Sequence, residues 1–183
     1  MMLSFFLGLL LLITISGFLN TTLHAVSHTV LTMLCIIFGK TDVLSNEITV
    51  ILLCSLALFG SCFGLLLRGY RIERSFKEFV GVLIFTVISI MLTAQFFSSS
   101  LSSFEYAVSS SIIWIGFVYN MLSRSYIAQL LGIFFSLNAL CLISSLWGNT
   151  TNIAVTLFLY IPFLCATLIL SIKTERFMRN KHG

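Results

Sequence analysis

The sequence contains few charged residues. Only 9% of its 183 residues are charged, whereas 58% are hydrophobic, and the mean hydropathy is +1.09. A soluble domain of this length must cover its core with polar surface, and this chain does not have enough polar residues to do so. The composition therefore argues against a soluble domain and predicts a polytopic integral membrane protein.

Motifs for catalysis and for cofactor binding are also missing. The sequence has no glycine-rich nucleotide loop, no paired carboxylates and no nucleophile constellation, so no catalytic site of its own is predicted. The five cysteines lie in apolar runs without a CxxC pair, which favours buried small side chains over disulfides or a metal site. His24 and His28 are one helical turn apart, a spacing found in haem and metal sites, but no second ligand pair accompanies them. We therefore expect no cofactor and no metal on this chain.

Continuous apolar runs make up most of the sequence. Each is long enough to cross about 30 Å of hydrocarbon as a helix at about 1.5 Å per residue. A β-barrel would instead alternate apolar and polar residues, whereas runs such as "ITVILLCSLALFGSCFGLLL" do not alternate. We predict an all-α transmembrane bundle forming a single membrane domain, residues 1–183, with spans near 2–19, 23–39, 48–67, 79–97, 101–121, 126–147 and 153–172.

The N-terminal part of the chain leaves one alternative open. The first two spans are short and joined by a tight polar link, so a long tilted helix followed by a re-entrant segment would also fit. The first span has no basic n-region and no small-residue cleavage site, which predicts a retained helix rather than a removable signal peptide.

The basic residues predict the orientation of the bundle. With seven spans, Lys40 falls on one side of the membrane and nine basic residues fall on the other. The positive-inside rule then places the C-terminus on the cytoplasmic or matrix side. The net charge of +4 needs no nucleic-acid partner, because anionic lipid such as cardiolipin supplies the counter-charge. The nine residues are Arg68, Arg71, Arg74, Lys77, Arg124, Lys173, Arg176, Arg179 and Lys181.

Glu105, in "SSSLSSFEYAVSSS", lies inside the predicted span 101–121, whereas the other five acidic residues lie in loops or at helix ends. A carboxylate inside the hydrocarbon costs several kcal/mol unless it is protonated, paired or hydrated, and such groups often belong to proton relays. The alternative is an acid near the membrane surface that the dipole of its helix favours. Lys173 ends the last span, where it serves either as a relay partner or as an interfacial anchor. Weaker polar candidates within the spans are Gln95, Asn138 and Tyr106.

The order of these features resembles a known family. A basic loop leads into "EFVGVLIFTVISIMLTAQFF", followed by Phe104-Glu105, a serine-rich apolar helix and "AQLLGIFFSLNALCLISSLWG". Over residues 65–150 this order resembles the antiporter-like membrane subunits of proton-pumping NADH:ubiquinone oxidoreductase (respiratory complex I), and subunit 2 in particular. The resemblance implies a proton-relay glutamate at Glu105 and a partner lysine at Lys173. It also implies a truncated or gene-split form, with another chain supplying the missing half.

Three functions follow as hypotheses. The first is a membrane-arm subunit of complex I in the mitochondrial inner membrane, part of the respiratory electron-transport chain and of its proton path. The second is a purely structural subunit of a respiratory complex, which the scarcity of charge within the spans favours. The third is a small transporter or exporter permease, with the bacterial inner membrane as the alternative location. It requires polar residues around a substrate cavity.

Overall fold

Helices account for almost all of the part of the chain that the structure, a computed structural model, describes. This part comprises residues 2–16, 21–39, 44–68, 70, 76–96, 103–123 and 125–182, without the side chains of 16, 76–79, 89, 93–96, 103, 104, 122 and 173–182. Within it the helices are α1 (Met2–Ser16), α2 (Thr21–Phe38), α3 (Asn46–Leu66), α4 (Phe76–Phe96), α5 (Ser103–Leu122), α6 (Tyr126–Leu146) and α7 (Thr150–His182). The predicted all-α class is confirmed.

Four of these helices are long and apolar enough to cross a membrane. They are α2, α3, α6 and the first part of α7, Thr150–Ile172. Shorter apolar stretches cover Met2–Ile15 in α1 and Val80–Leu92 in α4. The prediction of membrane-spanning helices therefore has direct support for four segments. The predicted count of seven spans and the side of the C-terminus stay predictions.

Helix α2 is polar on its inner face and apolar on its outer face. Thr21, His24 and His28 follow one another at intervals of three and four residues, so they lie on one face, and all are buried. Leu23 and Val30 on the other face are exposed. This arrangement is the reverse of an amphipathic helix in a water-soluble protein, and it suits a helix whose outer face contacts lipid.

Two glycines allow α5 and α6 to pack with their backbones in contact. A Cβ atom on Gly116 would collide with the Ser136 hydroxyl and the Gly132 carbonyl, and one on Gly132 would collide with the Gly116 carbonyl. Ser136 also donates a hydrogen bond across the interface to the Ile113 carbonyl at 3.1 Å. Close approach through small residues is how helices pack in lipid, where no hydrophobic force drives them together.

Aromatic rings fill the space between α3, α6 and α7. Phe63 stacks on Phe134 with ring centroids 4.3 Å apart and also contacts Phe163 at 5.2 Å. Phe59 stacks almost parallel on Tyr160 at 4.8 Å. Because such pairs are stabilising beyond the burial of their area, they fix how the three helices pack.

A tight turn reverses the chain between α6 and α7. Gly148 adopts a left-handed conformation (φ 64°), which lets the Asn149 N–H donate to the Ser144 carbonyl at 2.9 Å and close the end of α6. The Asn149 side chain then accepts a hydrogen bond from the Asn152 N–H at 3.0 Å and caps the start of α7. The turn therefore holds α7 antiparallel to α6.

Candidate functional site

A hydrogen-bonded network joins three helices in the interior of the bundle. Asn138 on α6 lies between His28 on α2 and Tyr160 on α7, and none of the three side chains is accessible to solvent. The Asn138 Nδ2 atom lies 3.0 Å from the His28 Nδ1 atom, and the Tyr160 hydroxyl donates to the Asn138 Oδ1 atom. One amide therefore links two helices that are far from each other in the sequence.

The network lies near the middle of the helices that carry it. Asn138 is twelve residues after the start of α6 and eight before its end, and Tyr160 is near the centre of the apolar stretch Thr150–Ile172. His28 is seven residues after the first residue of α2. If these helices cross a bilayer, the network is close to its midplane, the depth at which polar groups are most costly and most often functional.

Aromatic packing holds the His28 ring in place, and a side-chain hydrogen bond to its backbone supports the helical turn that carries it. Phe135 stacks on both imidazoles, with ring centroids 4.2 Å from His28 and 5.0 Å from His24. Thr32 donates to the His28 backbone carbonyl at 2.8 Å, one helical turn further along. These contacts leave the His28 ring little freedom to turn.

The network defines the protonation state of His28. Because Asn138 Nδ2 is a donor, Nδ1 of His28 accepts and the proton of the neutral ring is on Nε2. The Nε2 atom is buried and has no hydrogen-bond partner among the described residues. A buried N–H without a partner is unfavourable, so it marks a place where an acceptor or a proton-exchanging group would be stabilising.

The structure does not assemble a multidentate metal site from the described residues. No group of three or more His, Cys, Asp or Glu side chains there is arranged to hold a metal ion. Of the two histidines with metal-like spacing, His28 already uses Nδ1 in the network, and Phe135 packs on both rings. The expectation that the chain binds no cofactor stays a prediction.

Glu105 lies at an end of the bundle, in the first turn of α5. Its side chain is partly exposed, and the next residue, Tyr106, packs against Trp147 at the end of α6 with ring centroids 5.5 Å apart. The dipole at the start of a helix stabilises a carboxylate there. Asn138 is nine residues before Trp147, so Glu105 is roughly 13 Å along the bundle from the buried network.

The structure does not bring the backbones of Glu105 and Lys173 together. Helix α7 begins beside the end of α6, near Glu105, and Lys173 is 23 residues after Thr150 in the same continuous helix, about 35 Å further along its axis. Gln95 is in the last turn of α4. The side chains of Lys173 and Gln95 lie outside the described residues.

Sequence reasoning identified Asn138 as an interhelical polar group but not its two partners. His28 carried a signal, because two histidines four residues apart in an apolar run must share one helix face. Tyr160 carried no such signal, since tyrosines are common in apolar helices. The sequence does not distinguish a tyrosine whose hydroxyl is buried from one whose hydroxyl points to the membrane surface.

The fold and this network define a class: a helical bundle with an apolar exterior and polar groups joined in its interior. No protein-family model, curated protein or solved structure matches the chain.

Proposed function

We propose that the chain is a membrane-arm subunit of respiratory complex I, contributing to proton translocation in the mitochondrial inner membrane. The order of its helices carries the proposal. A basic segment precedes α4, Glu105 opens α5, and the Trp147-Gly148 pair closes α6. These positions correspond to the features in which the sequence resembles the antiporter-like subunits. The C-terminus is then on the matrix side.

The surface of the bundle supports membrane insertion. Large apolar side chains are exposed on several helices, including Ile51 (60%) on α3, Phe117 (52%) on α5 and Phe158 (69%) on α7. Soluble monomers rarely expose such surface over many helices. Lipid and neighbouring membrane-arm subunits would cover it, and anionic lipid such as cardiolipin would pair with the basic segments.

Glu105 is the acidic proton carrier of this proposal. Its side chain is partly buried at the end of α5, where protons from the aqueous phase can reach it. Lys173, directly after the apolar stretch Thr150–Ile172 of α7, would act through intervening groups rather than by direct pairing. Charge rearrangement at either residue would bias the packing of the helices between them.

Assembly provides the first test of the proposal. An affinity-tagged chain expressed in its own mitochondria is expected to co-migrate with NADH dehydrogenase activity on native gels and to co-purify with complex I subunits. Migration as a free chain, or within an assembly that lacks NADH dehydrogenase activity, would contradict the proposal. A tagged, unrelated inner-membrane protein provides the background level.

The Glu105→Gln variant tests the relay. We expect it to lower the number of protons pumped per NADH while the complex still assembles, because glutamine keeps the shape of the side chain and cannot release a proton. Glu47→Gln is the matched control, since Glu47 is also in the first turn of a helix and is exposed. Proton uptake in reconstituted vesicles, divided by NADH oxidised, measures the effect.

A structural role is the second candidate. Among the candidate spans, α2, α6 and Thr150–Ile172 contain no charged residue at all. Normal pumping in Glu105→Gln, together with normal assembly, would favour this scaffold function over the relay.

A further inference from the structure

We propose that His28 is a proton-binding site in the middle of the bundle, reached from a cavity at one end of α3, α6 and α7 along the polar face of α2. The proposal rests on the proposed function, because it gives a proton-translocating subunit a second carrier besides Glu105. This second carrier differs from Glu105. It is a histidine in the interior, connected to Asn138 and Tyr160, whereas Glu105 is a carboxylate at a helix end.

The entrance is a cavity of about 250 Å³ near the end of α3 and the start of α6. Its lining includes the hydroxyl-bearing residues Ser125, Tyr126, Thr167 and Ser171 as well as Tyr70. The rest of its lining is apolar (Leu66, Leu67, Ile127, Leu130 and Leu170), so the water molecules of the proposed route would be held by the hydroxyl groups. The exposed Arg68 follows the end of α3 directly and marks this as the end where basic residues are found.

Thr21 connects the cavity to the polar face of α2. Its hydroxyl lies 3.1 Å from the Leu67 carbonyl and 2.5 Å from the Tyr70 carbonyl, and both Leu67 and Tyr70 line the cavity. His24 and His28 follow Thr21 on the same buried face. The polar groups of α2 therefore lead from the cavity toward the network.

The depth of the site is consistent on three helices. From cavity to network there are seven residues on α2 (Thr21 to His28) and seven on α7 (Thr167 to Tyr160). On α6 there are eight, from Leu130 to Asn138. At about 1.5 Å per residue, each count places the network about 10–12 Å beyond the cavity. The counts on the three helices therefore give the same length for the proposed half-channel, which ends at His28.

The network satisfies Nδ1 of His28 in both protonation states. In the neutral ring Nδ1 accepts from Asn138. On protonation, an O–H bond of a hydronium ion that arrives from the cavity breaks, the lone pair of Nδ1 forms a new N–H bond, water is left behind and the ring gains one positive charge. A half-turn of the Asn138 amide then presents Oδ1 to Nδ1–H and Nδ2 to the Tyr160 oxygen. The Tyr160 hydroxyl proton, no longer donated to Asn138, is then donated to the Cys141 sulfur, which lies within hydrogen-bonding contact.

Few other titratable groups face His28. His24 lies on the same helix and acts on His28 electrostatically, whereas Tyr160 on α7, with its partner Cys141 on α6, is connected to His28 through Asn138. Helix α1 has no titratable side chain in Met2–Ser16, and on α3 Glu47 is exposed in the first turn. Neither α1 nor α3 therefore supplies an acid to pair with the imidazolium, so the charge on His28 depends on the proton supply through the cavity.

The test uses the full chain, labelled with ¹⁵N-histidine and reconstituted in phosphatidylcholine nanodiscs. The chain has three histidines, and the variants His24→Asn and His182→Asn assign the signals. We expect the His28 ring to change from the neutral Nε2–H form to imidazolium as the pH is lowered over the range in which the bundle stays folded. We also expect its Nε2 proton to exchange with water.

Blocking the cavity should slow that exchange without changing the neutral ring. Ser171→Phe fills the cavity, whereas Ser61→Phe makes the same change on an exposed face of α3 and is the control. Slower exchange in Ser171→Phe alone supports the half-channel. Equal exchange in the two variants overturns the route, and a His28 ring that stays neutral over the whole pH range overturns the proton site.

The experiment separates this inference from the proposed function. The isolated chain is sufficient for the resonance measurement, so titration of His28 can be observed whether or not the chain co-purifies with complex I. A titrating His28 in a chain that does not co-purify would support the site and contradict the assignment to complex I. A His28 that stays neutral in a chain that does co-purify would contradict the site and support the assignment to complex I.

Discussion

Replacing Gly132 with alanine is expected to destabilise the bundle by about 2–3 kcal/mol, the cost of overpacking a well-packed interface. The new Cβ atom would collide with the Gly116 carbonyl and approach the Tyr119 Cβ atom to 2.9 Å. A backbone carbonyl cannot turn away as a flexible side chain can, so α5 and α6 would have to separate. Unfolding of the purified chain in mixed micelles, followed by far-ultraviolet circular dichroism, measures the change.

Gly8→Ala provides the matched control for that prediction. Gly8 is also in the middle of a helix, but a Cβ atom there has no neighbour within 4 Å. Alanine is the better helix former by about 0.5–1 kcal/mol, so Gly8→Ala should leave stability unchanged or raise it slightly. Equal stabilities of the Gly132→Ala and Gly8→Ala variants would contradict the close crossing of α5 and α6.

The positions of the helices were largely predictable from the sequence, because charged and polar segments interrupt apolar runs of uniform length. The predicted span 126–147 and helix α6 (Tyr126–Leu146) differ by one residue. The ends of α7 were less predictable. The helix starts before residue 153 because the Asn149 side chain caps it, and it continues past residue 172 because Lys, Glu and Arg are good helix formers in water too.

The close crossing of α5 and α6 could not have been predicted from the sequence. Gly116 and Gly132 are isolated glycines in two different helices, and only their juxtaposition makes either one important. Single glycines in apolar helices, such as Gly8, occur without any such contact. The sequence does not show how each helix is rotated about its own axis. That rotation decides which residues of two neighbouring helices face each other.

The same limitation applies to the candidate site. Asn138 and His28 are separated by 110 positions, so their hydrogen bond depends on α2 and α6 being neighbours at one particular height. Glu105 was singled out in the sequence because it is charged, whereas the structure buries a neutral histidine, His28, completely. In lipid, burial selects against permanent charge, so a proton site at the midplane is more easily built from a group that is neutral before it binds.

Asn138→Leu is expected to have an effect comparable to that of Gly132→Ala. Leucine removes the partner of the His28 Nδ1 atom and one of the two partners of the Tyr160 hydroxyl, in a site where all of these groups are buried. Each unpaired buried group costs about 1–3 kcal/mol, and the unfolded chain in a membrane finds some alternative partners, so we expect a loss of about 2–4 kcal/mol. Asn152→Leu, at an exposed position on α7, is the control and should change stability little.

A double-mutant cycle with Tyr160→Phe separates the hydrogen bond from the packing. Phenylalanine keeps the ring that stacks on Phe59 and removes only the hydroxyl, so the single variant should lose about 1 kcal/mol. The double variant has no Tyr160 hydroxyl that could lose its hydrogen bond to Asn138, so its loss of stability should be smaller than the sum of the two single losses. Strictly additive losses would mean that Asn138 and Tyr160 do not interact. The network would then not be the element that aligns α6 with α7, and Asn138 would lack the partner on α7 that orients its amide toward His28.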